Sequence, residues 1–156
     1  MAMPLDLAIE VDAWSSVPGL ELMAEQAVAA ALPDSARGKV ITLLFSDDAT
    51  MQDLNRDWRG KDAPTNVLSF PAPEDQVTPP GELELLGDIV LGYETCAREA
   101  DEAGKPLAEH ACHLIVHGVL HLLGYDHIDD KEAEAMEAAE AKILATLGIA
   151  NPYMQN

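Results

Sequence analysis

The chain has 156 residues and a formal net charge of −19, with 28 acidic and 9 basic side chains. This length is typical of one domain that buries a real core. The charge argues against a simple electrostatic affinity for nucleic acid, because binding to phosphates depends on lysine and arginine. No apolar run reaches the ~18 residues that a spanning helix needs, and the amino terminus lacks the basic start of a signal peptide. We therefore expect a single cytoplasmic domain over residues 1–156 that binds no membrane.

The few basic residues are distributed unevenly. Arg56, Arg59 and Lys61 lie within six residues, whereas acidic residues are concentrated at 74–84 and 129–140. A local basic edge on an acidic body is therefore compatible with the sequence. An arginine such as Arg59, taken alone, is more often a solvated surface residue.

Apolar spacing and turn residues predict four strands and five helices. The predicted elements, in chain order, are a strand over 5–11, a helix over 19–32, a strand over 40–45, a helix over 46–58, strands over 66–70 and 85–91, and helices over 93–103, 107–123 and 129–147. The order β-α-β-α-β-β-α-α-α is typical of an α+β domain with one small mixed sheet and helices packed on it.

All five histidines lie within residues 110–127, and three of them have the spacing H-x3-H-x5-H. On a helix, His117 and His121 lie on the same face and can approach a single ion. Gly124 can turn the chain, because glycine adopts positive φ at no steric cost, and so bring His127 back as a third ligand. Three protein ligands with a fourth position open to water are typical of a catalytic zinc site.

His113 lies on the same helical stripe as His117 and His121, but it cannot join them as a ligand. At about 1.5 Å of rise per residue, His113 and His121 are roughly 12 Å apart along the axis. Zn–N bonds of about 2.1 Å do not span that distance. We expect His113 to line the approach to the site or to contact a ligand from behind. His110 could do the same, but we expect it to be an ordinary, partly exposed helix residue.

The histidine spacing matches that of the metzincin proteases, H-E-x-x-H-x-x-G-x-x-H, except at one position. Gly118 stands where a protease has the glutamate that acts as general base. Phosphodiester cleavage instead places charge on non-bridging oxygens, which a guanidinium beside the metal can stabilise. Asp126 could supply a carboxylate base, although in this tight turn we expect it to orient the turn or a ligand.

Three segments resemble the signature blocks of the YbeY family (UPF0054) of bacterial zinc-dependent endoribonucleases. These segments are Arg59–Pro71, Leu86–Val90 and His113–His127, which occur in the order of the family's blocks. The resemblance covers essentially the whole domain. It implies a compact α+β fold whose four-stranded sheet is mostly parallel, packed with about five helices.

The resemblance also implies a site and a function. The implied zinc ligands, with one zinc per chain, are His117, His121 and His127, the implied catalytic residues are Arg59 and His117, and the implied lining of the RNA cleft is Lys61, Asn66 and Ser69. The implied substrate is single-stranded RNA, including the 3′ end of 16S ribosomal RNA. A role in ribosome quality control, with ribosome-assembly proteins as partners, is also implied.

Two other functions stay open at the level of sequence. One is a zinc-dependent hydrolase of peptide or amide bonds, favoured by the histidine spacing and disfavoured by Gly118. The other is a zinc-stabilised, non-enzymatic module in which the acidic surface binds basic ribosomal proteins. The role of Asp88 is equally open, because a carboxylate in a strand can support a ligand or hydrogen-bond a neighbouring loop.

Overall fold

The computed structural model describes residues 5–36, 38–73, 75–126 and 128–153, so His127 lies outside the described residues. Four strands and six α-helices are found in these ranges, together with a short 3-10 helix at Asp34–Ala36. The strands are β1 Leu5–Ile9, β2 Lys39–Ser46, β3 Val67–Pro71 and β4 Glu84–Gly92, and the helices are α1 Asp12–Ser15, α2 Leu20–Ala31, α3 Asp48–Arg59, α4 Tyr93–Ala103, α5 Leu107–Leu122 and α6 Asp130–Thr146. No helix in these ranges is both long and apolar enough to cross a lipid bilayer.

The four strands form one sheet in the order β1-β2-β4-β3. β1 pairs with β2 and β2 with β4 in parallel, whereas β3 pairs with β4 in antiparallel register. The predicted α+β fold, with its small, mixed and mostly parallel sheet, is therefore confirmed. The antiparallel strand β3 lies at one edge of this sheet.

Two helices cover one face of the sheet and enclose most of the core. Ala24, Ala27 and Ala31 of α2 are buried, and their small side chains let α2 pack closely on α5. α5 is buried along most of its length and also packs on β3 and β4. This position explains why the predicted helix over 107–123 is apolar around much of its circumference.

The opposite face of the sheet is covered by α3. Leu68 of β3 pairs with Val90 of β4, and both pack against Met51 of α3. Asp88 pairs with Phe70, which packs against the same cluster. Because paired residues share a face of the sheet, Asp88 lies on the α3 side and not on the side of α5. The structure thus argues against Asp88 as a support for the histidines of α5.

The helix ends follow the local sequence closely. The helix predicted over 46–58 begins one to two residues later, with Asp47 as the cap of α3, whose carboxylate accepts a hydrogen bond from the Thr50 N–H at 2.9 Å. Ser46 instead ends β2. Asp129 caps α6 in the same way, accepting from the Glu132 N–H at 2.8 Å.

One short helix was not predicted. The strand expected over 5–11 ends at Ile9, and Asp12–Ser15 form the single turn α1. A single turn is too short to show helical periodicity in the sequence. Its conformation is fixed by Trp14, which is fully buried and donates from Nε1 to the carbonyl oxygen of Ser46 at 2.8 Å.

Candidate active site

Helix α5 brings two imidazoles together. His117 and His121 are one turn apart, and their Nε2 atoms are 3.0 Å from each other. Two nitrogens bound to one tetrahedral zinc at about 2.0–2.1 Å are roughly 3.3 Å apart, so this spacing is close to what a shared ion requires. The predicted pairing of these two histidines on one helix face agrees with the geometry.

The donor chemistry of this pair fits a zinc ion, but the described residues supply only part of a ligand set. Within 5–36, 38–73, 75–126 and 128–153, no group of three or more histidine, cysteine or acidic side chains is arranged to hold a metal. The predicted third ligand, His127, lies outside those ranges. His117 and His121 are therefore the ligand candidates that the structure places together.

A buried carboxylate lies behind His117. Oε1 of Glu140, on α6, is 2.9 Å from Nδ1 of His117 and 3.2 Å from Nε2 of His113. Tyr153 donates its hydroxyl to Oε2 of Glu140 at 2.7 Å. Burial by itself would raise the pKa of Glu140, but these hydrogen bonds outweigh burial and lower its pKa to about 2. The same burial, together with the carboxylate of Glu140, raises the pKa of Tyr153.

Glu140 was missed by the reasoning from sequence, although a signal was present. Met136, Glu140 and Leu144 recur every four residues on α6, and all three are buried. A charged residue in the middle of an apolar stripe indicates a buried carboxylate that needs hydrogen-bond partners. His113 is one of these partners, because its Nε2 atom contacts both Glu140 and the hydroxyl of Tyr153.

The imidazole pair opens onto a pocket of about 510 Å³. Its wall is formed by the end of α3, the segment before β3, β3 itself, α5 and the turn after α5. The lining residues are Arg59, Thr65, Asn66, Val67, Leu68, Ser69, Pro71, His117, His121, Gly124, Tyr125 and Asp126. A cleft of this size between elements of secondary structure is typical of a binding site.

The two arginines of α3 are in different electrostatic settings. Arg56 is within 3.9 Å of the carboxylates of Asp53, Asp57 and Asp62. Arg59 is the last residue of α3, and in the described part of the chain no carboxylate lies within ion-pair distance of it. Gly60, with φ of 72°, ends the helix immediately afterwards. The exposed guanidinium on the pocket wall is therefore that of Arg59.

The other predicted cleft residues occupy different positions. Ser69 and Asn66 line the pocket, whereas Lys61 is exposed and is not part of its lining.

The Asn66 side chain donates to Glu99 at 3.0 Å, and its oxygen accepts from the Val67 N–H. Glu99 also contacts Nε2 of His110 at 2.9 Å. His110 is thus partly buried in a contact with Glu99, on the same carboxylate oxygen as Asn66.

Gly118 occupies a position where a side chain has little room. A Cβ atom at this position would be 3.0 Å from Oγ of Ser69 and 3.1 Å from side-chain carbons of Ile89. Helix α5 lies against β3 and β4 at this point, so the larger glutamate of the proteases would require these elements to separate. The tertiary packing therefore accounts for the departure from the protease pattern.

These features define an α+β protein whose site combines two converging imidazoles, a buried carboxylate behind one of them, and, on the wall of the same pocket, an arginine that no carboxylate of the described ranges pairs with. Such a site is suited to hydrolytic chemistry on an anionic substrate.

Comparison with known proteins places the chain within that class. Residues 13–148 match the family model described as Endoribonuclease YbeY. The Endoribonuclease YbeY of Paramagnetospirillum magneticum is 51% identical over 98% of this chain and 98% of its own length. Its counterpart in Sphingopyxis alaskensis is 59% identical over 80% of this chain and 77% of its own length. The chain belongs to the Endoribonuclease YbeY family.

A solved structure supports the fold. The solution structure of a Thermotoga maritima protein aligns with a TM-score of 0.54, covering 97% of this chain and 99% of that one, at 22% identity. At this identity the likeness extends to the fold alone. It agrees with the architecture of one mixed sheet packed with helices.

Proposed function

We propose that this chain is a zinc-dependent endoribonuclease that cleaves single-stranded RNA. The observation that carries the proposal is the convergence of His117 and His121 at a pocket whose wall includes Arg59. The names of the relatives support it, since each is an endoribonuclease. The proposed ligand set is His117, His121 and His127, with one zinc per chain.

A zinc ion held by these imidazoles would supply Lewis acidity, which activates water for attack near neutral pH. The chain's own residues then have separate tasks. Arg59 neutralises charge on the non-bridging phosphate oxygens as it increases towards the transition state, and its planar fork can hold two oxygens at once. Ser69 and Asn66, on the same wall, would position the sugar-phosphate backbone, with Lys61 attracting the strand from outside the pocket.

The biological role that follows is maturation of ribosomal RNA in the cytoplasm, in particular of the 3′ end of 16S ribosomal RNA. Ribosome quality control and contact with ribosome-assembly proteins belong to the same proposal. The net charge of −19 bears on it, because RNA has to be bound through a few local cations.

The test is an assay of zinc-loaded protein on single-stranded RNA, duplex RNA and casein. We expect cleavage of the single strand only, abolished by a chelator and by His117→Ala. Cleavage of casein that depends on the metal would instead establish the amide hydrolase. If the zinc-loaded protein cleaves none of the three substrates, the non-enzymatic ribosome-assembly module, which the acidic surface favours, becomes the better account.

A further inference from the structure

We propose that Glu140 and Tyr153 form a positioning unit that fixes His117 in its metal-binding orientation and so sets the zinc affinity of the site. The proposal rests on the proposed function in one respect, namely that His117 binds zinc. It adds a role for α6 and for the segment that follows it, neither of which carries a predicted ligand.

The two nitrogens of His117 have different partners. A carboxylate only accepts hydrogen bonds, so the 2.9 Å contact between Glu140 Oε1 and His117 Nδ1 requires the proton to be on Nδ1. The lone pair is then on Nε2, which is the atom that faces His121 at 3.0 Å. A metal ligand must offer an unprotonated nitrogen, and a carboxylate behind the ring both selects this tautomer and holds the ring in place.

The complete burial of Glu140 is costly for a charged side chain. Its side chain is 0% exposed, between Met136 and Leu144 on the buried stripe of α6. Packing alone favours an apolar residue at this position, since burial of a charge is costly unless the charge is paired and hydrogen-bonded. The carboxylate therefore has no packing advantage that explains it, whereas its contact with a ligand does.

Tyr153 and His113 hold the carboxylate of Glu140 in position. The Tyr153 hydroxyl donates to Oε2 of Glu140 at 2.7 Å, whereas His117 contacts the other carboxylate oxygen, Oε1. Nε2 of His113 is 3.2 Å from Glu140 and 3.2 Å from the Tyr153 hydroxyl, so His113 braces the same carboxylate. Both oxygens of Glu140 thus have partners, which restricts rotation of the carboxylate.

Tyr153 reaches Glu140 because the chain turns after α6. Gly148, with φ of 77°, turns the chain after α6. The Tyr153 N–H then donates to the side chain of Asn151 at 2.9 Å, which holds the tyrosine in a tight turn. The Tyr153 ring meets that of His113 edge-on, with ring centroids 5.6 Å apart. The segment after α6 therefore completes the support of a residue on α5.

The experiment measures zinc affinity by competition with a chromophoric chelator, together with the visible absorption of the cobalt-substituted protein. The variants are Glu140→Gln, Glu140→Leu and Tyr153→Phe, with Glu134→Gln as the matched control, because Glu134 is on the same helix but exposed. Loss of a supporting carboxylate typically weakens metal binding about 10- to 100-fold. We expect a loss of this size in both Glu140 variants, an intermediate loss in Tyr153→Phe, and wild-type affinity in Glu134→Gln.

Glu140→Leu separates positioning from folding. If Glu140 acts on the ligand, the metal-free leucine variant should still unfold cooperatively in urea, although at a lower concentration than the wild type because His113, His117 and Tyr153 lose their shared partner, while its zinc affinity falls and its cobalt spectrum changes. Unchanged zinc affinity and cobalt spectra in both Glu140 variants would overturn this inference alone. A wild-type protein that binds no zinc would overturn it together with the zinc dependence in the proposed function.

Discussion

Arg56 and Arg59 are three residues apart on the same helix, yet their electrostatic settings differ. The carboxylates of Asp53, Asp57 and Asp62 surround Arg56, and the hydrogen bond with Asp57, followed by the charges of these carboxylates, raises the pKa of its guanidinium. Arg59 lies on the pocket wall without such a partner in the described part of the chain. An arginine that is already paired gains little from a phosphate, because it has to give up existing contacts.

The first prediction follows from this difference. Arg59→Ala should lower the single-turnover rate of RNA cleavage about a hundredfold, or ~3 kcal/mol, because a charge-assisted contact to the transition state is lost. Arg59→Lys should recover only part of the rate, since lysine keeps the charge but not the planar fork. The measurement is cleavage of a labelled single-stranded RNA by variants checked for zinc content.

Arg56→Ala is the matched control for this experiment. It removes the same side chain from the same helix, one turn away, and should leave the rate within about threefold of the wild type. Equal rates for wild type, Arg59→Lys and Arg59→Ala would remove Arg59 from the mechanism.

At the scale of the element, α5 determines which histidines can share an ion. His117 and His121 converge, whereas His113, one turn earlier, contacts Glu140 and Tyr153. We predict that purified protein holds about one zinc per chain, that His121→Ala loses most of it, and that His113→Ala retains it. Elemental analysis of the three proteins is the measurement. Undiminished zinc in His121→Ala, or a loss in His113→Ala as large as that expected for His121→Ala, would show that the ligand set is different.

The caps of the helices allow a prediction about stability. Asp47 accepts a hydrogen bond from the Thr50 N–H at the start of α3, so Asp47→Ala should lower the free energy of unfolding by ~1 kcal/mol. The hydrogen bonds with Thr50 lower the pKa of Asp47 from its usual 3.8. A lowered pKa in the folded state stabilises the protein above the unfolded-state pKa, and this contribution is lost as the pH falls through the folded-state value.

The measurement is urea denaturation of wild type and Asp47→Ala at pH 7 and at pH 3, since the difference between them should shrink at the lower pH. Asp129→Ala tests the same effect at the start of α6, where the cap has the same geometry. A difference at Asp47 that does not change with pH would show that the charge of the cap plays no part.

At the scale of the whole molecule, the acidic composition limits how RNA can bind. With 28 acidic and 9 basic residues, most of the surface repels a polyanion, and Arg56 is already paired. We predict that affinity for single-stranded RNA falls with salt along a shallow slope, equivalent to two or three phosphates at about 0.7 per phosphate. The measurement is fluorescence anisotropy of an uncleavable RNA between low and physiological salt. A steep slope would indicate an extended basic surface and contradict the local site.

Local features of the chain were predictable because they depend on neighbours in sequence. Periodicity and glycine punctuation predicted α4 with its observed bounds, Tyr93–Ala103, and Gly104 beyond it. The spacing of His117 and His121 predicted their shared face for the same reason, since the geometry of a helix repeats every 3.6 residues. Their Nε2 atoms, 3.0 Å apart, bear this out.

What only the tertiary structure decided depends on elements that are distant in sequence. Glu140 reaches His117 from 23 positions away, because α6 packs against α5. Gly118 is confined by Ser69 and Ile89, because α5 lies on the sheet. The sequence by itself determined the fold class, the helix ends and the histidine pair, all of which arise from backbone periodicity and capping. The support behind His117 and the pairing that separates Arg56 from Arg59 arise from packing and charge between distant segments, which no local pattern encodes.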